Sequence, residues 1–269
     1  MSQIESLPDR AVIRLTGEDR YTFLQGVVTQ DVDLLQKQPA IFSALLTPQG
    51  KILFDFFVVT DGDALLIDCN ADAAPTLLKR LSMYKLRAKV SLAVDPALRI
   101  IASDAEISNG LAFPDPREPS LGWRAIISDE DVAPDGDYDR RRIALGIPEF
   151  GKDFGSDEVF LTDVNYDMLN GVSYKKGCFI GQEVTSRIKR KGEIRRRSLI
   201  AEFHGAAPEK GAAITAGAST LGEILSGGAG CALAQIRMDR LEKAKNDETP
   251  IECDGRPLLL RVPAALERG

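Results

Sequence analysis

The periodicity of apolar positions changes several times along the chain. Residues alternate from Ala11 to Leu15, and the runs Ala40 to Thr47, Lys51 to Thr60 and Ala64 to Asp68 are rich in β-branched and aromatic residues. Pro48-Gln49-Gly50 and Asp61-Gly62-Asp63 supply turn chemistry between those runs, so the pattern predicts one strand and then a meander of three antiparallel strands. Thr16-Gly17-Glu18-Asp19 opens a helix through about Thr29, with Tyr21, Leu24 and Val28 on one face. A second helix is predicted over Pro75 to Lys85, with Leu77, Leu78, Leu81 and Tyr84 together. Arg87 to Val94 and Leu98 to Ala102 return to strand and complete an α+β lobe from Ala40 to Ser128, while Asp104 to Leu121, with its three prolines, reads as a surface insertion or a mobile edge. Tyr138 to Leu145 predicts a basic-faced helix that Gly146-Ile147-Pro148 stops. Beyond Arg197 the runs Ser198 to Phe203, Thr220 to Ser226, Cys231 to Met238, Pro250 to Cys253 and Leu258 to Val262 are separated by Gly, Pro and Asn turns, which predicts a small β-barrel. Ser226-Gly227-Gly228-Ala229-Gly230 lacks the third glycine and the following helix of a nucleotide loop and reads as a turn.

Composition narrows the class. The chain has 269 residues, 44% of them hydrophobic, and a formal net charge of -6, which speaks against a surface that binds nucleic acid over its whole extent. No run of eighteen apolar residues occurs, so no membrane partner is expected, and Met1-Ser2-Gln3-Ile4-Glu5-Ser6 lacks the regions of a secretory signal. A cytoplasmic protein is therefore expected. Cys69, Cys178, Cys231 and Cys253 are widely spaced, against a disulfide framework or a closed zinc site, and the single His204 disfavours a Ser-His-Asp triad or a multi-histidine metal centre.

Three features carry candidate chemistry. Cys178 lies between Gly177 and Gly181, after Lys175 and Lys176 and before a helix-forming run from Gln182. Positive charge, close backbone approach and a helix N-terminus all favour a reactive thiol, against the bland reading of a small buried hydrophobe. Asp55 is a carboxylate inside the apolar run Ile52 to Val59; it either faces solvent from a half-exposed strand or is buried and then needs a partner. From Arg187 to Arg197 seven basic residues face one acid, Glu193, which reads as a solvated helix end or as an anion site.

The stretch Lys176-Gly177-Cys178-Phe179-Ile180-Gly181-Gln182-Glu183 resembles the Lys-Gly-Cys-aromatic-x-Gly-Gln-Glu signature of the YgfZ branch of the folate-binding, aminomethyltransferase-like (glycine-cleavage T-protein) superfamily. Asn165 to Tyr174 and Arg141 to Glu149 are similar to two further blocks of that branch, in the same order, and Leu15, Gly17, Asp19, Phe23, Leu24, Gln25 and Gly26 to its opening. The resemblance implies an α+β fold with an aminomethyltransferase-like region over 1–195, a ferredoxin-like lobe at about 40–130, and a C-terminal β-barrel over 196–269. It implies tetrahydrofolate or another folate as ligand, with Asp55, Asp163, Asn165, Tyr174 and Arg187 as contacts. Asp163 stands where family members carry a glutamate one methylene longer. It further implies an accessory factor for assembly or repair of iron-sulfur clusters, with client or assembly proteins as partners and an indirect link to tRNA through tRNA-modifying clients. Cys178, Lys176 and Asp55 would carry any chemistry. A true aminomethyltransferase and a non-enzymatic RNA-binding adaptor stand as alternatives, and transferase activity is left open.

Overall fold

The computed structural model describes residues 4–128, 136–192 and 194–268. Met1 to Gln3 and Glu193, the one acid of the basic run, lie outside the described residues. The chain forms two compact units that interleave along the sequence: Met1–Tyr138 with Asn170–Val184, and Asp139–Leu169 with Thr185–Gly269.

In the first unit the strands are β1 (Ile4–Ser6), β2 (Arg10–Thr16), then after helix α1 (Arg20–Gln25) β3 (Ala40–Leu46), β4 (Ile52–Asp61) and β5 (Ala64–Asn70). Helix α2 (Ala74–Tyr84) follows, then β6 (Ser91–Val94), β7 (Arg99–Ser103), β8 (Leu111–Pro114) and β9 (Trp123–Ile127). The predicted meander is present as β3, β4 and β5, extended to the five-stranded order β3-β4-β5-β2-β6. A second sheet has the order β1-β7-β9-β8. All seven residues of β3 are buried and so are the first eight of β4, because both faces of the larger sheet are covered; such strands show a continuous apolar run instead of alternation. Helix α1 ends at Gln25, four residues before the predicted end, because Thr29 turns inward. Its hydroxyl donates to Gly171 O at 2.6 Å and accepts from Ala44 N–H.

The stretch predicted as a surface insertion is structural. It contributes β8 and a 3-10 turn at Pro119–Leu121, and it buries Asp115, Arg117 and Glu118. Arg117 donates to both Asp115 oxygens at 3.0 and 2.7 Å and to the Tyr138 hydroxyl at 2.7 Å. Arg124 on β9 donates to the same hydroxyl at 3.0 Å and to Asp68 Oδ2 at 2.7 Å, and Arg10 on β2 donates to Asp68 Oδ1 at 2.7 Å. The guanidinium groups of Arg124, Arg117 and Arg10 lie 4.3, 4.8 and 5.6 Å from the centre of the Phe57 ring on β4.

The second unit begins in α3 (Tyr138–Ala144) and includes most of α4 (Gln182–Lys191). It continues as β10 (Arg196–Glu202), β11 (Ala213–Ala216), β12 (Ser219–Gly227), β13 (Cys231–Arg237), α5 (Met238–Asn246), β14 (Ile251–Cys253), β15 (Arg256–Pro257), β16 (Leu259–Arg261) and α6 (Ala264–Glu267). Its seven-stranded antiparallel sheet, order β15-β14-β11-β12-β13-β10-β16, curls into a nearly closed barrel around Leu199, Ile214, Leu221, Ile224, Ala234 and Ile236. Leu241 and Ala244 of α5 join that core. Helix α3 is not uniformly basic-faced, since Arg142 is buried and donates to Asp153 at 2.7 Å, to Asp139 and to the Ser226 hydroxyl.

Removing one partner from a buried ion pair leaves an uncompensated charge, a loss of about 3–5 kcal/mol. Arg124→Met is therefore expected to lower unfolding free energy by about 3 kcal/mol or more in chemical denaturation, whereas Arg14→Met, at a pair whose side chains are about one-third exposed, is expected to cost under about 1 kcal/mol.

Candidate functional site

The segment that rejoins the first unit, residues 170–184, carries the predicted thiol. It is tied to the turn that follows α1 by a series of contacts between positions about 140 residues apart. Gln30 Nε2 donates to Asn170 O at 2.6 Å, and Ser173 N–H donates to Thr29 O at 3.0 Å. Lys176 Nζ donates to Val28 O at 2.7 Å and to Gln30 O at 2.9 Å. Lys176 is buried, its ammonium lies 5.5 Å from the centre of the Phe179 ring, and burial pushes it down to about 8, with Asp31 and Asp33 partly opposing the shift. The lysine expected to assist the thiol is thus engaged with two backbone carbonyls, which its charge serves well because each would otherwise be a buried, unsatisfied acceptor.

Cys178 is exposed two residues further on. Gly177 beside it faces open space, but Gly181 does not: at its φ of +79° a Cβ would come within 2.7 Å of Thr47 O. The close approach that the glycine permits is to the protein's own β3–β4 turn, where Gly50 has a φ of +84° and meets Val184. Helix α4 begins at Gln182, four residues beyond the cysteine. Of the other cysteines, Cys69 and Cys253 are buried and Cys231 is half-buried. Burial pushes the Cys69 thiol up to about 12 and raises those of Cys231 and Cys253.

Asp55 is buried, 2% exposed, on β4. Period-two alternation puts it on the Phe57 face of the sheet, so the solvent-facing alternative does not hold. Tyr174 is half-buried in the segment before Lys176. These residues belong to the first unit; Asp163, Asn165 and Arg187 belong to the second. Asp163 sits in the 3-10 turn Leu161–Val164 and its Oδ2 accepts from Phe160 N–H at 3.0 Å, a capping contact. Asn165 ends that turn with a φ of +63°. Its Nδ2 donates to Ser198 O at 2.7 Å, and its buried Oδ1 has no hydrogen-bond partner among the described residues. Arg187 is exposed on α4. The basic run does not act as one patch, because Arg197 turns inward, donating to both Asp167 oxygens at 2.5 and 2.9 Å and to Thr162 O. Among the described residues no cluster of His, Cys, Asp and Glu could hold a metal, and no helix is long and apolar enough to cross a membrane.

The fold defines the class. The chain is similar in structure to the glycine cleavage system aminomethyltransferase T of Bartonella henselae, with a TM-score of 0.76 and 15% identity over 98% of this chain and 86% of that one. Residues 195–268 match the CAF17 C-terminal beta-barrel domain. The chain is 32% identical over 242 residues to the mitochondrial iron-sulfur cluster assembly factor IBA57 homolog of Neurospora crassa, covering 77% of this chain and 55% of that protein. It is 30% identical to mouse IBA57 over 278 residues, covering 88% and 78% respectively. The chain belongs to the IBA57 family and has the fold of an aminomethyltransferase. It spans 55–59% of the length of the first three fungal relatives it matches.

One expectation is corrected. The Neurospora and mouse proteins and six further relatives are all described as mitochondrial, which overturns the cytoplasmic expectation. Absence of a secretory signal carried no information about other targeting segments, which have a different composition.

Replacing Lys176 by Met leaves the Val28 and Gln30 carbonyls without their donor, and a loss of about 2–4 kcal/mol is expected at neutral pH. The lysine's folded value lies below its unfolded one, so between about pH 8 and pH 10.5 the unfolded chain binds more protons and wild-type stability gains as pH rises. Denaturation curves across that window are therefore expected to show the gap between wild type and Lys176→Met widening with pH.

Proposed function

We propose that this chain is an accessory factor for iron-sulfur cluster assembly that presents the Cys178 thiol to a protein partner and binds a folate. The observation that carries the reading is the contrast among the cysteines: Cys178 is exposed at the end of a segment fixed by Lys176 and Thr29, while the others are buried or half-buried. The names of the relatives supply the cluster chemistry. One thiolate cannot ligate a cluster alone, so the remaining ligands come from a partner, an assembly protein or a client enzyme, including clients that modify tRNA. Lys176 acts on the thiol by positioning its segment.

Tetrahydrofolate is the proposed small-molecule ligand. Two features of the second unit bear on it in opposite ways. The buried Asn165 Oδ1 offers an acceptor to a donor such as the ring N–H or amino group of a pterin. Asp163, shorter than the family's glutamate, has one oxygen engaged by Phe160. Asp55, Tyr174 and Arg187 remain candidate contacts that single variants test. The aminomethyltransferase reading has only the fold behind it.

Complementation of cells lacking the endogenous factor, read as activity of their iron-sulfur enzymes, is expected to fall at least tenfold with Cys178→Ser. Calorimetric titration of tetrahydrofolate is expected to give the same affinity for Cys178→Ser as for wild type and weaker binding for Asn165→Leu. Full complementation by Cys178→Ser removes the thiol from the function, and an absence of tetrahydrofolate binding to wild type removes the folate.

A further inference from the structure

Several arginines of this protein are neutralised by carboxylates. Arg10, Arg14, Arg117, Arg124, Arg142, Arg197, Arg237 and Arg261 each pair with a carboxylate. One face of the second unit instead gathers three arginines that are not neutralised. Arg195, Arg196 and Arg240 are exposed around the junction of β10, β13 and α5, and none has a carboxylate within ion-pair distance among the described residues.

Register makes the arrangement costly. Arg196 lies directly opposite Arg237 in the β10–β13 ladder, and like charges in that relation destabilise a sheet. Asp239 relieves Arg237 with a two-pronged pair at 2.9 and 2.8 Å. Arg196 gains only the Gln235 side-chain oxygen, at 3.3 Å, and Arg240 only the Thr220 carbonyl. Both guanidinium groups are therefore oriented by neutral acceptors and keep N–H groups free, in the planar form suited to phosphate oxygens.

Two depressions flank the junction. One, of about 340 Å³, is lined by Arg196, Arg237 and Arg240 together with Gln235, Thr220 and Glu223. The other, of about 550 Å³, is lined by Arg195 and Lys245 together with Met238, Leu241 and the acids Asp239 and Glu242. Cations distributed over two adjacent hollows suit a linear polyanion better than one small anion. No aromatic residue lines either hollow, so the surface offers no platform for base stacking. The net charge of -6 on the whole chain confines attraction for a polyanion to such a local site.

We propose that this face of the barrel binds the phosphodiester backbone of single-stranded RNA without reading its sequence. The inference is independent of the cluster-assembly reading, since it uses neither Cys178 nor the folate candidates. The probe is a fluorescein-labelled twenty-residue oligouridine, followed by anisotropy against the full chain over a range of salt concentrations. Three arginine–phosphate contacts on a single strand predict a log–log salt slope of about -2. Arg196→Gln/Arg240→Gln is expected to bind at least tenfold more weakly at low salt, with the slope reduced to about -0.7 for the one remaining contact. Arg196→Lys/Arg240→Lys keeps the charge and is expected to retain most of the slope. Arg256→Gln, at an exposed arginine outside both hollows that donates to Ala206 O, is expected to match wild type, and melting curves establish that each variant is folded. The proposal is overturned if wild type shows no salt-dependent binding, if the double glutamine variant binds as wild type does, or if Arg256→Gln loses as much affinity. Displacement of the oligouridine by inorganic tripolyphosphate at equal phosphate concentration also overturns it, in favour of a small-anion site.

Discussion

The first unit depends on a charged interior. Arg10, Arg117 and Arg124 surround the Phe57 ring and share Asp68, Asp115 and the Tyr138 hydroxyl. Taking these ions out of water is expensive, and the arrangement offsets the cost with ion pairs at 2.7 Å and with the negative face of the ring. Its members come from β2, β4, β5, β9, the segment after β8 and the first residue of α3, so the network joins the five-stranded sheet to the four-stranded one. Directional contacts of this kind accept one register between the sheets. The apolar residues around them supply most of the burial, and the ions select the arrangement in which that burial occurs.

The thiol-bearing segment follows from the same unit. The chain leaves after Tyr138 and returns at Asn170, where it is received by Thr29, Gln30 and the carbonyl of Val28. Lys176 is central to that reception, a buried cation facing carbonyl dipoles. Gly181 completes it by letting the backbone meet the Thr47–Gly50 turn. Between these two fixed points Cys178 stays exposed, so fixation and accessibility are achieved within six residues.

Local order was legible where a short-range signal existed. Pro48-Gln49-Gly50 fixes the β3–β4 turn, and the Gly- and Pro-punctuated runs after Arg197 announce the barrel strands. The buried charges were not legible. Arg10 and Arg14 lie on the same face of β2 and are indistinguishable by residue type, yet one is buried against Asp68 while the other remains near water. Asp115-Pro116-Arg117 likewise has loop composition, and only the nearness of Tyr138 and Phe57 explains its burial. At the site, Lys176, Cys178 and Gly181 could be picked out as unusual. Their division of labour could not, because it depends on carbonyls of residues 28, 30 and 47. The inward turn of Arg197 was hidden for the same reason, since its partner Asp167 lies thirty positions earlier.

The ties between residues 28–30 and 170–176 also bear on how the protein reaches its native state. Each of them closes a loop of about 140 residues, and closure entropy has to be met before such contacts contribute. The segment that carries Cys178 is therefore placed late, after the N-terminal sheet that receives it exists. During synthesis the thiol emerges when its docking surface has already been made, so the order of the chain itself shortens the time for which Cys178 is present without its fixed surroundings.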